Sequence, residues 1–232
     1  MTKALGPLTL CYHAVSAGWE HGLSLAPATF ERQLRALLRA GFRPATAAEV
    51  ARGRGRLLHV TFDDAYRSIA PALDALERLG IPASVYVCSA HADRGGAPLS
   101  VPELEAQPQD ELATMDWDAL RSLARRGFEV GSHTVSHPRL THLADEALRR
   151  ELEVSKERIE TELGRPCPLL AYPYGDDDAR VHAAARAAGY ELAFALPGKA
   201  RPRDPLALPR VGVYRKDSLP RLGAKVLARP GS

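Results

Sequence analysis

Two short stretches of this 232-residue chain carry residue types that do chemistry when they meet. The first is Val60-Thr61-Phe62-Asp63-Asp64, an apolar run that ends in two adjacent carboxylates. Neighbouring side chains on an extended backbone point to opposite sides, so Asp63 and Asp64 must do different jobs. One can bind a cation while the other faces a substrate. An Asp pair after a strand also serves as a solvated turn or a helix cap, and this stretch alone does not separate the readings. The second stretch is His133-Thr134-Val135-Ser136-His137, again directly after an apolar run, residues 128–131. Pro138 disfavours helical backbone at His137, so a loop that turns both imidazoles inward is expected. Two imidazoles and one carboxylate form a three-ligand set that leaves a zinc position open for water.

The elements around these stretches alternate strand and helix, which predicts a parallel sheet wrapped by helices. Strands are expected at residues 8–12, 57–62, 83–88, 128–131, 169–172, 192–196 and 208–213, with a short one at 42–45. Phe30, Leu34, Leu37 and Leu38 share one face of a helix that starts near Pro27 and stops at Gly41. Further helices are expected from Thr46 to Val50, around Ile69, Leu73 and Leu76, around Trp117, Leu120 and Leu123, and over residues 145–163, 178–188 and 219–227. Residues 91–114 read as a long polar loop over the active face, since loops of that length are usually functional or disordered. His13, Asp63, Asp64, His133, His137 and Pro173-Tyr174-Gly175 all fall just past the C-terminal ends of strands. That edge is where parallel sheets build their sites.

Composition narrows the function. The chain is 45% hydrophobic and 25% charged, which suits one globular domain over residues 1–232. A net charge of +3, with basic residues scattered along helices, argues against nucleic acid as a partner. Cys11, Cys88 and Cys167 match neither a disulfide framework nor a Cys-based zinc motif, and Cys11 and Cys88 read as small buried side chains. No export signal or membrane span is apparent, so a cytoplasmic location is expected.

Taken together, Thr61-Phe62-Asp63-Asp64, His133-Thr134-Val135-Ser136-His137 and Ala171-Tyr172-Pro173-Tyr174-Gly175 resemble, in order, the motifs of the polysaccharide deacetylase family, the NodB-homology domain or carbohydrate esterase family 4. The resemblance implies an α/β fold, a distorted (β/α)7-type barrel, and metal-dependent removal of acetyl groups from N-acetylated sugars. It implies that Asp64, His133 and His137 hold one divalent ion, Zn2+, and that Asp63 is the general base. Zinc would lower the pKa of bound water and polarise the acetyl carbonyl. The N–H of Tyr174 would help to hold the oxyanion.

The family's C-terminal Leu-x-His is absent, and its neighbourhood reads Leu208-Pro209-Arg210-Val211. Cys11-Tyr12-His13 instead resembles the strand-end Tyr-His of a branch whose acid histidine lies near the N-terminus, which assigns His13 as general acid. Ala171 stands where the family carries an arginine that orients the base. Arg210, on the strand that should close the barrel, is the expected substitute through a bidentate pair with Asp63. The family's glycine after the Asp pair is Ala65, which argues against a backbone only glycine tolerates and leaves helix entry open. Tyr172 and Tyr174 could floor a sugar site or belong to the core, and Trp117 could wall the pocket or pack beneath the long loop. Two rivals stand beside the deacetylase: an amidase on a small non-sugar amide, and a sugar-binding protein that keeps the fold without turnover.

Overall fold

The computed structural model describes residues 5–99, 101–196 and 204–228. Seven parallel strands form the frame: β1 (Leu8–Tyr12), β2 (Leu57–Phe62), β3 (Ala83–Val87), β4 (Glu129–Ser132), β5 (Leu169–Ala171), β6 (Leu192–Ala195) and β7, which runs as Leu208–Pro209 and then Val211–Gly212. The ladder passes from β1 through β6 in chain order. The two halves of β7 then join its ends. Leu208 pairs with Phe194 of β6, and Val211 pairs with Leu10 of β1. The sheet is thereby nearly closed into a barrel, the architecture that alternating β and α elements favour. The expected continuous strand over residues 208–213 is broken at Arg210, because each half takes a different neighbour.

Helices α1 (Pro27–Arg39), α2 (Ala70–Leu79), α3 (Trp117–Arg125), α4 (Asp145–Leu163), α5 (Ala179–Ala187) and α6 (Leu219–Leu227) wrap the outside. They bury one apolar stripe each, such as Phe30, Leu34 and Leu37 on α1 and Leu148, Leu152 and Ile159 on α4. The barrel interior is tighter. A Cβ on Gly131 of β4 would sit 2.5 Å from the Tyr86 ring, so only glycine lets that tyrosine cross the barrel.

Residues 91–114 are not a bare loop. They begin inside a helical turn at Ser89–Asp93 and contain two more at Pro102–Leu104 and Gln109–Leu112, and Leu99, Val101, Leu104 and Leu112 bury themselves with Trp19, Tyr66 and Cys88. The composition that reads as polar hides these spaced apolar anchors. Among the described residues no helix is long and apolar enough to cross a membrane.

Candidate active site

The ladder carries the chemistry one residue beyond its strands. Asp63 N–H donates to Tyr12 O at 2.9 Å, and His133 N–H donates to Val87 O at 2.8 Å, so both side chains start from fixed backbone. Beyond them the chain turns sharply. Among the described residues, the non-glycine positions with positive φ are Asp64 (67°), Ala65 (51°), Thr134 (71°), His137 (63°) and Tyr174 (60°). All five lie in the three motif loops, where left-handed backbone costs about 1–2 kcal/mol per residue. Ala65 thus adopts the conformation that its side chain seemed to argue against. Burial of its methyl in the core accompanies the strain.

Asp63 and Asp64 diverge. Asp64 Oδ1 lies 3.6 Å from His133 Nε2 and 3.4 Å from His137 Nε2. The three side chains are almost fully buried, and Oδ1 has no hydrogen-bond partner among the described residues. His133 Nδ1–H donates to the Ala171 carbonyl at 2.8 Å, which fixes its tautomer and leaves Nε2 bare. Burial pulls both histidines below the usual imidazole range, so at neutral pH they present lone pairs. Burial and then the Asp63 charge push the Asp64 carboxyl up to about 8. One carboxylate oxygen and two ring nitrogens within 4.8 Å of one another, all buried, fit a divalent cation. Its uptake would displace a proton from Asp64.

Asp63 has a different partner. Arg210 Nη1 donates to Oδ1 at 2.6 Å and Nη2 to Oδ2 at 2.8 Å, a bidentate fork inside the barrel. Nη1 also donates to Thr61 Oγ1 at 3.1 Å. The Cys11 thiol donates to Asp63 Oδ2 at 3.3 Å. Burial alone would raise the Asp63 pKa, but the Arg210 charge and its hydrogen bonds hold it well below the usual carboxylate range. A ring nitrogen of His13 and an Asp63 oxygen lie within 4.8 Å, about the span of one bridging water. Burial holds His13 down to about 4, so at neutral pH it is uncharged at rest.

The remaining candidates divide. Tyr174 is half-buried, its ring 4.6 Å from His137 on one side and 4.1 Å from the Arg139 guanidinium on another. The tight turn needs Gly175, where a Cβ would meet Leu196 Cβ at 2.6 Å. Tyr172 is core, its hydroxyl donating to Leu206 O at 2.8 Å. Trp117 is also core and donates to Asp93 at 2.8 Å, beneath the Ser89–Asp93 turn. Two site residues escape the sequence reading. Cys11 looks like an ordinary buried cysteine, although its alternate-residue spacing from His13 puts both on one face of β1. Glu151, on α4, accepts hydrogen bonds from Val135 and Ser136 in the histidine loop, and nothing local in the sequence marks it.

The family model described as polysaccharide deacetylase matches residues 51–193. A Bacillus subtilis (strain 168) protein named as a polysaccharide deacetylase, YxkH, is 22% identical over 203 residues, covering 84% of this chain. The aligned region is 66% of that protein's length. Among solved structures, the Streptococcus pyogenes deacetylase PplD, in complex with acetate, superposes with a TM-score of 0.79 at 20% identity, covering 97% of this chain and 99% of that one. IcaB from Ammonifex degensii gives a TM-score of 0.76 at 24% identity, with coverage of 97% and 99%. At these identities the superpositions establish the shared fold, while the family model spans the Asp pair, the histidine loop and the third motif. The chain belongs to the polysaccharide deacetylase family.

Proposed function

We propose that this protein hydrolyses the N-acetyl group of an N-acetylhexosamine unit in a glycan or glycan precursor, releasing acetate and leaving a free amine. The observation that carries the reading is the split of the Asp pair. One carboxyl group joins two imidazole nitrogens, and the other is kept ionised by a guanidinium beside it. Asp64, His133 and His137 are the proposed ligands. They would hold a divalent cation, zinc by the donor set, which would supply a Lewis acid to lower the pKa of water and polarise the acetyl carbonyl.

The rest falls to the chain's own side chains. Asp63 accepts the proton from the attacking water, and Arg210 keeps that carboxylate aimed and charged until it does. The Tyr174 N–H, held by its left-handed turn before Gly175, donates to the oxygen that gains charge as the carbonyl carbon becomes tetrahedral. His13 is neutral at rest and starts without the proton it must give. Its nearness to Asp63 lets the water's proton pass from base to imidazole and on to the amine nitrogen as the C–N bond breaks. Acetate release from N-acetylglucosamine oligomers, with and without a chelator, tests the activity. No release under either condition would overturn it.

Two residue roles can be checked directly. Replacing His137 by Ala removes one of three proposed ligands, and metal analysis of the purified protein should show the content fall. Unchanged content would remove His137 from the ligand set. The His13→Ala variant should slow cleavage of an amide far more than that of an ester with a good leaving group, because such an ester departs without protonation. Proton donation is commonly worth about 10²–10⁴-fold, so the gap should be easy to read. Equal losses on the two substrates would make His13 structural.

A further inference from the structure

We infer that Glu151 is a positioning residue for the cation site, acting by clamping the loop that carries both histidines. The inference rests on the proposed ligand set of Asp64, His133 and His137. It starts from a difference between the two imidazoles. The ring of His133 is fixed from behind by the Ala171 carbonyl, as metal-ligating histidines usually are. His137 Nδ1 is buried and has no hydrogen-bond partner among the described residues. No hydrogen bond among the described residues therefore sets the His137 ring from behind. Besides the Tyr174 ring packed on it, its aim depends on its backbone, at φ 63°, and on Thr134 at φ 71°, two left-handed positions that a free loop would relax.

The backbone is held by α4. Glu151 Oε2 accepts from the Val135 N–H at 2.8 Å and the Ser136 N–H at 3.0 Å, while Oε1 accepts from Ser136 Oγ at 2.6 Å. Two consecutive N–H groups aimed at one oxygen form an anion-binding concavity, and charge-assisted bonds are roughly twice as strong as neutral ones. One helical turn further on, Ser155 Oγ donates to the Thr134 carbonyl at 3.0 Å. Glu151 and Ser155 thus share a face of α4 that grips the loop at three successive residues. From the Ser89–Asp93 turn, Ser89 N–H donates to Thr134 O and Ala90 N–H to Val135 O, both at 3.1 Å. The loop is thus fixed by two elements, and Glu151 supplies the only charge among these contacts. Its carboxylate does for His137, through the main chain, what the Ala171 carbonyl does for His133 through the ring.

The test is the affinity of the metal-free protein for Zn2+, measured by competition with a chelating dye, with the melting temperature of the metal-free protein followed in parallel. Glu151→Ala should weaken Zn2+ binding by about 10–100-fold, the range for loss of an outer-shell partner. Glu151→Gln should lose clearly less than Glu151→Ala, because its amide oxygen can still accept both N–H groups without the charge. Wild-type affinity in Glu151→Ala, beside a weakened His137→Ala, would overturn the clamp. So would a Gln variant as weak as the Ala one. Undiminished Zn2+ binding in His137→Ala would overturn the ligand set itself, and the clamp's role with it. If Glu151→Ala fails to fold, Ser136→Ala removes the 2.6 Å bond alone and should show a smaller loss in the same direction.

Discussion

Asp63→Asn is expected to lower turnover by about 10²–10⁴-fold while the protein still takes up its cation. The argument is geometric. Asp63 makes no contact that the proposed ligand set needs, and its oxygens face Arg210, Cys11 and His13 instead. An amide cannot accept the proton from water, so the attacking group is left unactivated. Asparagine also offers one acceptor to two guanidinium donors, so some loss of stability should accompany the loss of rate. Metal content at the wild-type level, with turnover down by at least two orders of magnitude, is the expected result. Turnover near the wild-type rate would show that another group activates the water.

Arg210→Met should hurt both rate and stability, and its pH dependence should reveal why. Removing one partner of a buried pair typically costs about 3–5 kcal/mol, because the other charge is left without compensation. In the wild type, Arg210 depresses the Asp63 pKa, so the pair's stabilisation is present above the ordinary carboxylate range and fades only as pH falls below it. In the variant, burial dominates and raises the Asp63 pKa. The folded protein then prefers a protonated Asp63, and its stability is lost as pH rises through that raised value. The melting-temperature gap between the two proteins should therefore be widest near neutral pH and narrow toward pH 4. The acidic limb of the pH–rate profile should move upward in parallel. Combining Asp63→Asn with Arg210→Met removes both charges, so stability should recover relative to the Arg210→Met single variant while turnover stays low. A double variant no more stable than Arg210→Met would mean that the pair's charge is not what the fold depends on.

What could be read from the sequence was set by how local each signal is. The seven strands follow from apolar runs, and the site edge follows from where those runs stop. The His133–His137 loop follows from Pro138, a restriction that acts one residue away. The break in β7 depends on which strands lie beside residues 208–212, which is a property of the closed ring. Cys11 reads as core because its sequence neighbours are apolar, and only the approach of β2 gives its thiol a carboxylate. Glu151 is indistinguishable from the other glutamates of α4 until the loop arrives. Ala65 misleads for a different reason. Steric preference argues against a left-handed alanine, but the surrounding motif dictates the turn and the core absorbs its methyl.

The break in β7 also orders events in the life of the chain. The three proposed cation ligands, and the Glu151, Ser155 and Ala171 groups that hold them, are all made by residue 171, within a run of neighbouring strands that pair in sequence order. The counter-ion of the proposed base lies 147 positions beyond it, on the segment that joins the last ladder to the first. Contacts that distant in sequence form late, since their loop closure must be met before they return anything. A chain emerging from the ribosome can thus assemble the proposed cation site before Asp63 has a charge partner. Asp63 gains its guanidinium only when the last strand meets the first.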